Sequence, residues 1–265
     1  MVYRAYDPQL DRDVALKVSH AAVLSNPRFV ERSLREAKSS AWLRHPHIVQ
    51  IFDVGQVDGR LYFVLEFIEG GTLADKVRSQ ALPPRPAAQL LESLSRAMHY
   101  AHLRGIIHRD LKPANVLLHG RRAFLDLADD SDRLPMEWDF RRYMPKITDF
   151  GLAKLMDRTS GTGHTASGDV VGTPSYMAPE QAQGKPFAIG PATDVYSLGA
   201  ILYEMLTGRP PFQGTTPMDT LFQVHTREPV PPRKLRREVP PVLETICLKC
   251  LRKDPARRYQ SAEEL

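Results

Sequence analysis

HRDLKPAN at residues 108–115 and DFG at residues 149–151 are the two stretches that decide how the rest of the chain is interpreted. The first places Asp110, Lys112 and Asn115 within six residues, and the second adds Asp149. Together they supply a carboxylate that can accept a proton, a cation that can neutralise phosphate charge, and two oxygen ligands of the kind that Mg²⁺ prefers. This combination indicates phosphoryl transfer.

Further motifs surround these stretches in a fixed order. VALK occupies residues 14–17, and GTPSYMAPEQA occupies residues 172–182. A lone HRD is a weak signal because short polar triplets are common in turns, whereas the whole ordered set is specific. On these motifs the chain resembles the eukaryotic-type serine/threonine protein kinases, and within them the bacterial branch. The resemblance covers nearly the whole chain.

The resemblance implies an α+β fold with two lobes. A small antiparallel sheet with one helix is expected over residues 1–67, and a larger, mainly helical lobe over residues 68–265. An insertion is expected at about residues 119–145, where the family has a tight turn. Runs rich in β-branched and aromatic residues predict strands at residues 2–5, 13–18, 48–54, 61–67, 116–118 and 146–148. Apolar residues at helical spacing predict helices at residues 73–77 and 86–104, and a long apolar helix capped by Thr193.

The resemblance also implies a role for each catalytic residue. Asp110 is expected to orient the acceptor hydroxyl and take its proton, and Lys112 to neutralise charge on the transferred group. Asn115 and Asp149 are expected to hold Mg²⁺. Thr173 is expected to complete the set that recognises a peptide substrate.

The implied nucleotide site binds ATP between the lobes. Lys17 is expected to hold the α and β phosphates while Glu36 fixes it, although Glu36 can also be interpreted as a surface charge on a helix. Residues 66–68, called the hinge below, are expected to bind adenine through the backbone of Glu66 and Ile68. Leu65 is the expected gatekeeper, and the apolar residues expected to sandwich adenine are Val2, Ala15 and Leu117.

In the family a Gly-rich loop that covers the ATP phosphates precedes a Val-Tyr-x-Ala segment like residues 2–5, and no such glycines precede Val2 in this sequence. Two hypotheses follow: a serine/threonine protein kinase domain whose sequence lacks that loop, and a catalytically impaired kinase-like binding or scaffold module. The complete catalytic set favours the enzyme. A small-molecule kinase of related fold is a third hypothesis, and Lys112 with Thr173 argues against it because both resemble peptide-substrate machinery.

The resemblance implies protein substrates with Ser or Thr acceptors, and possible self-association. Thr165 and Ser167 lie in a Ser-, Thr- and Gly-rich stretch where bacterial relatives are often autophosphorylated. Arg109 is then the cation expected to receive the phosphate. Asp194 is expected to brace the backbone of residues 108–115.

Several residues have simple structural interpretations. Arg258 matches the family's ion-pair partner of Glu180. His99 and His102 lie three residues apart on a predicted helix without a third ligand nearby, so they are interpreted as ordinary helix histidines. A C-x-x-C in an apolar helical stretch, with no second pair, is interpreted as two buried helix cysteines; these are Cys247 and Cys250.

Composition narrows the class of protein. The chain has 265 residues, 42% of them hydrophobic and 25% charged, which is typical of a globular protein and not of a disordered one. Two cysteines imply no disulfide framework and predict a reducing, cytoplasmic location, although a region outside this sequence could anchor the whole protein to a membrane. The net charge of +5 predicts a solvated basic surface and not nucleic-acid binding. No apolar run is long enough to cross a bilayer.

Overall fold

A computed structural model describes residues 1–18, 40–57, 60–120, 143–150, 174–184 and 186–265. Four strands form an antiparallel sheet in the order β1-β2-β4-β3. They are β1 (Val2–Asp7), β2 (Arg12–Val18), β3 (Ile51–Val57) and β4 (Arg60–Glu66). The predicted antiparallel sheet is therefore confirmed, and β4 leads directly into the hinge.

The sheet owes its core to alternation along β4. Leu61, Phe63 and Leu65 are buried, while the residues between them are partly exposed. Because successive side chains of a strand point to opposite faces, these three lie on one face, where they pack with Val49 and Ile51. This small apolar cluster is the core of the first lobe.

The second lobe is built from helices around one buried helix. The helices are α1 (Leu73–Ser79), α2 (Pro84–His102), α3 (Pro179–Ala182), α4 (Pro191–Thr207), α5 (Pro217–Thr226), α6 (Pro232–Leu235) and α7 (Pro241–Cys250). Helix α4 is buried on nearly every side, as an all-round apolar helix must be, and α2 and α7 pack against it. Within the described residues no helix is long and apolar enough to cross a membrane.

A two-stranded hairpin lies between HRDLKPAN and DFG. Its strands are β5 (Val116–Gly120) and β6 (Tyr143–Ile147), with Val116 opposite Ile147 and Gly120 opposite Tyr143. The predicted strand pair is confirmed, and it extends into both ends of the segment that the resemblance treats as an insertion. Residues 121–142, the rest of that segment, lie outside the described residues.

Two sequence predictions about element boundaries were wrong. Helix α4 begins at Pro191, with Gly190 as its N-cap, because proline is favoured in the first turn; Thr193 instead accepts the Gly190 N–H at 3.2 Å. Strand β3 begins at Ile51, not at residue 48, because Ile48 pairs with Ile147 of β6. This second difference fastens the segment before β3 onto the hairpin.

Candidate active site

Asp194, at the start of α4, holds the backbone of the catalytic loop (residues 108–115). Its side chain is 0% exposed and accepts the N–H groups of His108 at 2.8 Å and Arg109 at 2.9 Å. A third donor, His102 Nε2, lies 2.9 Å from its Oδ2. The predicted brace is confirmed, and His102, interpreted from sequence as an ordinary helix residue, is part of it.

His108 joins the catalytic loop to the DFG segment. Its Nδ1 accepts the Asp110 N–H at 3.3 Å, so the ring proton belongs on Nε2, which lies 2.9 Å from the Thr148 carbonyl. The ring also meets Phe150 edge-on, with centroids 4.8 Å apart. His108 is 1% exposed, so these contacts fix both Asp110 and the residue before Asp149 in a packed interior.

The Asp110 carboxylate is oriented by two neighbours. Lys112 Nζ donates to its two oxygens at 2.8 and 3.1 Å. Asn115 Nδ2 donates to the Asp110 carbonyl at 2.7 Å and to its Oδ2 at 3.1 Å. The Asp110 side chain is nevertheless 28% exposed, so a hydroxyl group of a substrate can reach it.

Arg109 and Asp149 have left-handed backbones. Their φ values are +69° and +68°, which cost non-glycine residues about 1–3 kcal/mol and occur preferentially at functional sites. Gln181 Nε2, in α3, donates to the Arg109 carbonyl at 2.7 Å and so supports the strained residue. Of the strained residues in the described part of the chain, Arg109 thus precedes the predicted proton acceptor, and Asp149 is itself a predicted metal ligand.

Lys17 and Asp149 meet across the two lobes. Lys17 Nζ lies 2.8 Å from Asp149 Oδ1, with the side chains 14% and 23% exposed. The Thr148 N–H donates to the Asn115 carbonyl at 2.9 Å, which brings Asp149 beside the catalytic loop. The Asn115 amide nitrogen is used by Asp110, so its amide oxygen is left for a metal. A carboxylate oxygen and an amide oxygen are both among the ligands that Mg²⁺ prefers.

Three of the residues predicted to surround adenine pack against one apolar cluster beside the hinge. Ala15, Ile68 and Leu117 pack against the cluster that contains Leu65. Val2 is 63% exposed and lies opposite Lys17 in the β1–β2 pair. The chain after the hinge runs so close to β5 that a Cβ on Gly70 would overlap the Leu118 carbonyl, so this position requires glycine.

The Glu66 side chain makes a contact that sequence reasoning missed. Lys146 Nζ lies 2.9 Å from both of its carboxylate oxygens. Glu66 Oε2 also accepts the Gln50 N–H at 3.2 Å. No sequence signal links Glu66 to Lys146, because 80 positions separate them.

The supports predicted deeper in the second lobe are present. Arg258 forms two bonds of 2.8 Å with the Glu180 carboxylate, and both side chains are buried. Cys247 and Cys250 are free and fully buried in α7, as interpreted from sequence. Burial raises the pKa of Cys250 to about 12, so its thiol stays protonated. Glu36, Thr165, Ser167 and Thr173 lie outside the described residues.

Comparisons with known proteins agree with this geometry. The sequence model of the protein kinase domain matches residues 1–265. The chain is 38% identical over 269 residues to serine/threonine-protein kinase PknB of Mycolicibacterium smegmatis and 37% identical to that of Mycobacterium tuberculosis, covering 100% of this chain and 39% of each relative. A probable serine/threonine-protein kinase of Streptomyces coelicolor is 38% identical and 36% covered. The chain thus spans about two fifths of the length of the curated relatives it matches.

A solved structure supports the fold. The kinase domain of Mycobacterium tuberculosis PknI, solved as a point mutant, superposes with a TM-score of 0.70 at 24% identity, covering 99% of this chain and 86% of that one. The family match over the full length, the identity to PknB and the assembled catalytic loop and DFG segment lead to one conclusion: this chain belongs to the protein kinase family, as a kinase domain of the bacterial serine/threonine type.

Proposed function

We propose that this domain transfers the γ-phosphoryl group of ATP to serine or threonine hydroxyls of proteins. The observation that carries the proposal is the Asp110 carboxylate, which is oriented by Lys112 and Asn115 yet remains accessible. It lies on a loop that is hydrogen-bonded to the strand leading into Asp149. The same constellation favours an enzyme over a kinase-shaped binding module.

Asp110 acts on the acceptor hydroxyl. Its carboxylate accepts the hydroxyl proton as the oxygen attacks the γ-phosphorus of ATP, the bond to the β-phosphate oxygen breaks and ADP leaves. Lys112, whose Nζ lies 3.1 Å from Asp110 Oδ1, offsets negative charge on the transferred group. Proton acceptance of this kind contributes about 10²–10⁴-fold to the rate, so most of the acceleration comes from positioning and charge stabilisation.

ATP would lie between Lys17 and the hinge. Asn115 and Asp149 would hold Mg²⁺ through their side-chain oxygens, and the ion would neutralise charge on the phosphates. Lys17 would pair with the α and β phosphates. The backbone of Glu66 and Ile68 would bind the adenine edge, with Ala15 and Leu117 on its faces.

Autophosphorylation at Thr165 or Ser167 is part of the same proposal. The Arg109 side chain is exposed beside Asp110 and can pair with an added phosphate. A phosphate brings nearly two negative charges and forms charge-assisted hydrogen bonds to arginine. Mass spectrometry of the protein after incubation with Mg-ATP is expected to find phosphate within residues 161–169.

Replacing Asp110 tests the proposed reaction. Asp110→Asn keeps the shape and one accepting oxygen but removes the charge, so we expect at least a hundredfold loss of transfer from labelled ATP to a Ser/Thr-containing acceptor such as casein. The melting temperature should stay the same. Asp11→Asn, at an exposed turn, is the matched control and should keep full activity. Transfer by Asp110→Asn within tenfold of the parent, about 1.4 kcal/mol of barrier, would refute the assigned role.

A further inference from the structure

We infer that Lys146 is a positioning residue for the adenine of ATP: its ion pair with Glu66 fixes the hinge above β6. The inference rests on the proposed function and deepens it, because it assigns part of the ATP affinity to a side chain that reaches the hinge from the second lobe.

The ion pair between Lys146 and Glu66 has a defined geometry and is largely shielded from solvent. Lys146 Nζ bonds both Glu66 oxygens at 2.9 Å, and the side chains are 11% and 24% exposed. A lysine this buried needs a charged partner, since the cost of removing either charge from water is compensated only by good geometry. Loss of one partner therefore leaves an unpaired, partly buried charge that must move towards water.

The hinge is held at its first residue by a second set of contacts. The Gln50 N–H donates to Glu66 Oε2 at 3.2 Å, and the Glu66 N–H donates to the Gln50 carbonyl at 2.9 Å. The Glu66 backbone and the Glu66 carboxylate are thus both hydrogen-bonded to the backbone of Gln50. A movement of the carboxylate is transmitted to the backbone that would bind adenine.

Lys146 also belongs to the floor of the same site. It stands directly opposite Leu117 in the β5–β6 pair, so the two side chains share a face of the hairpin. Strand β6 is fixed in turn by the segment before β3: Val49 N–H donates to the Ile147 carbonyl, and Ile147 N–H to the His47 carbonyl, both at 2.9 Å. Lys146 therefore connects the hinge to a rigid base.

Space exists for the hinge to move when this connection is lost. A cavity of about 550 Å³ opens beside the ion pair, on the wall formed by the segment before β3. Its lining residues are Arg44, His45, Ile48, Gln50, Ile51, Phe52, Glu66 and Lys146. Because the ion pair is part of this wall, an unpaired Glu66 can turn into the cavity and draw the hinge backbone with it.

Nucleotide binding measures the effect without requiring turnover. In titrations of the folded chain, Lys146→Met is expected to raise the Kd of Mg-ATP about tenfold, the upper value for one lost neutral hydrogen bond between adenine and the hinge backbone. The Kd of Mg-tripolyphosphate, which has phosphates but no adenine, should not change. In the transfer assay the KM for ATP should rise while kcat stays within about threefold.

Matched variants separate positioning from general damage. Lys146→Arg keeps the charge and should retain most of the affinity, and Glu66→Gln should reproduce the loss seen with Lys146→Met. The double variant Glu66→Gln/Lys146→Met should lose no more than either single one, because both break the same contact. Lys234→Met, an exposed lysine in α6, controls for the loss of a positive charge.

The two proposals fail in different ways. An unchanged Mg-ATP affinity in Lys146→Met and Glu66→Gln, or a parallel loss of ATP and tripolyphosphate binding, would overturn the role of Lys146. If one of these two variants does not melt cooperatively, the other decides the question by the same comparison between Mg-ATP and Mg-tripolyphosphate. Absence of phosphoryl transfer by the parent would overturn the proposed function while leaving the binding result interpretable.

Discussion

Two aspartates at the centre of the molecule show how surroundings decide a residue's role. Asp194 is 0% exposed and satisfied by three donors, so it has no capacity for a substrate. Asp110 is 28% exposed and is oriented on one side only, by Lys112 and Asn115. The first therefore fixes the backbone that presents the second.

A partly buried carboxylate in α4, Glu204, makes a testable contribution to stability. Glu204 accepts a hydrogen bond from the Tyr176 hydroxyl at 2.5 Å. Burial raises the pKa of the Glu204 carboxyl above 4.5, while the Tyr176 hydrogen bond and the charge of Arg78 lower it by less. The folded state therefore holds the Glu204 proton more tightly than the unfolded state does. The protonated carboxyl stabilises the fold below pH 4.5, and this contribution to the free energy of unfolding is lost as pH rises through the folded pKa.

Replacing this carboxylate should change the pH dependence in a defined direction. Glu204→Gln keeps an oxygen for Tyr176 and cannot ionise, so the variant is expected to gain unfolding free energy relative to the parent between pH 4.5 and about pH 8. Urea unfolding at both pH values measures the difference. Glu92→Gln, at an exposed site in α2, should show no such trend. A difference that is constant with pH would contradict the raised pKa.

At the residue scale, the sequence predicted contacts between residues that lie close together within one motif. Asp110, Lys112 and Asn115 are neighbours in the chain, so their proximity follows from a local turn. The contacts of His102 with Asp194 and of Lys146 with Glu66 span 92 and 80 positions. Only the packing of the folded chain brings such pairs together, and a helical histidine or a strand lysine carries no mark of it.

Helices α4 and α7 pack through a glycine. Gly199 lies in the interior of α4, where glycine ordinarily costs about 1 kcal/mol relative to alanine. Here a Cβ would overlap the Cβ of Cys250, and the Cys247 thiol lies 3.6 Å from the Gly199 carbonyl. The close approach of the two helices therefore depends on the absence of a side chain at this position.

Adding one methyl group at Gly199 tests this packing, because helix propensity predicts a gain in stability and the overlap with Cys250 predicts a loss. Gly199→Ala would stabilise an isolated helix, but overpacking costs about 1–3 kcal/mol, so we expect the variant to be less stable in urea unfolding. Gly120→Ala, where an added Cβ meets no atom within 4 Å, is the control. Combining Gly199→Ala with Cys250→Gly should be less costly than the sum of the two single changes. A more stable Gly199→Ala protein would contradict the proposed contact.

At the scale of elements, the periodicity of apolar residues predicted which helices and strands form better than it predicted where they begin and end. The alternation in β4 and the apolar stripe of α2 are strong local signals, and both elements formed. The start of β3 was misplaced because Ile48 pairs with Ile147, a partner that lies beyond the reach of any local pattern. The cap of α4 was misplaced because threonine is a favoured N-cap, whereas the helix already begins two residues earlier, at Pro191.

The two lobes are joined by contacts that concentrate near the site. Lys17 reaches Asp149, Lys146 reaches Glu66, and Ile147 pairs with Ile48. Leu43 and Ile48 precede the hinge in sequence yet pack in the large apolar cluster of the second lobe. The segment before β3 therefore serves as a fixed base for the hinge. Relative movement of the lobes would alter the site at each of these points.

The second lobe is tied together by one buried ion pair. Arg258 is 3% exposed and donates twice to Glu180, which lies in α3. It also donates to the carbonyls of Ala192, Arg252 and Lys253. Thr193 adds a hydroxyl bond to Glu180 at 2.9 Å. A single guanidinium therefore connects α3, the first turn of α4 and the chain after α7.

Removing this guanidinium should affect the whole domain. Arg258→Ala leaves Glu180 as an uncompensated buried charge, which costs about 3–5 kcal/mol, and each kcal/mol lowers the melting temperature by about 2–4 °C in a domain of this size. Arg257→Ala, at the exposed neighbouring position, should stay within about 0.5 kcal/mol of the parent. Because much of the cost is the stranded charge, Arg258→Ala combined with Glu180→Gln should be more stable than Arg258→Ala alone. If the combined variant is no more stable than Arg258→Ala, a stranded Glu180 charge is not the source of the loss, which then comes from the missing bonds of Arg258 to the three carbonyls.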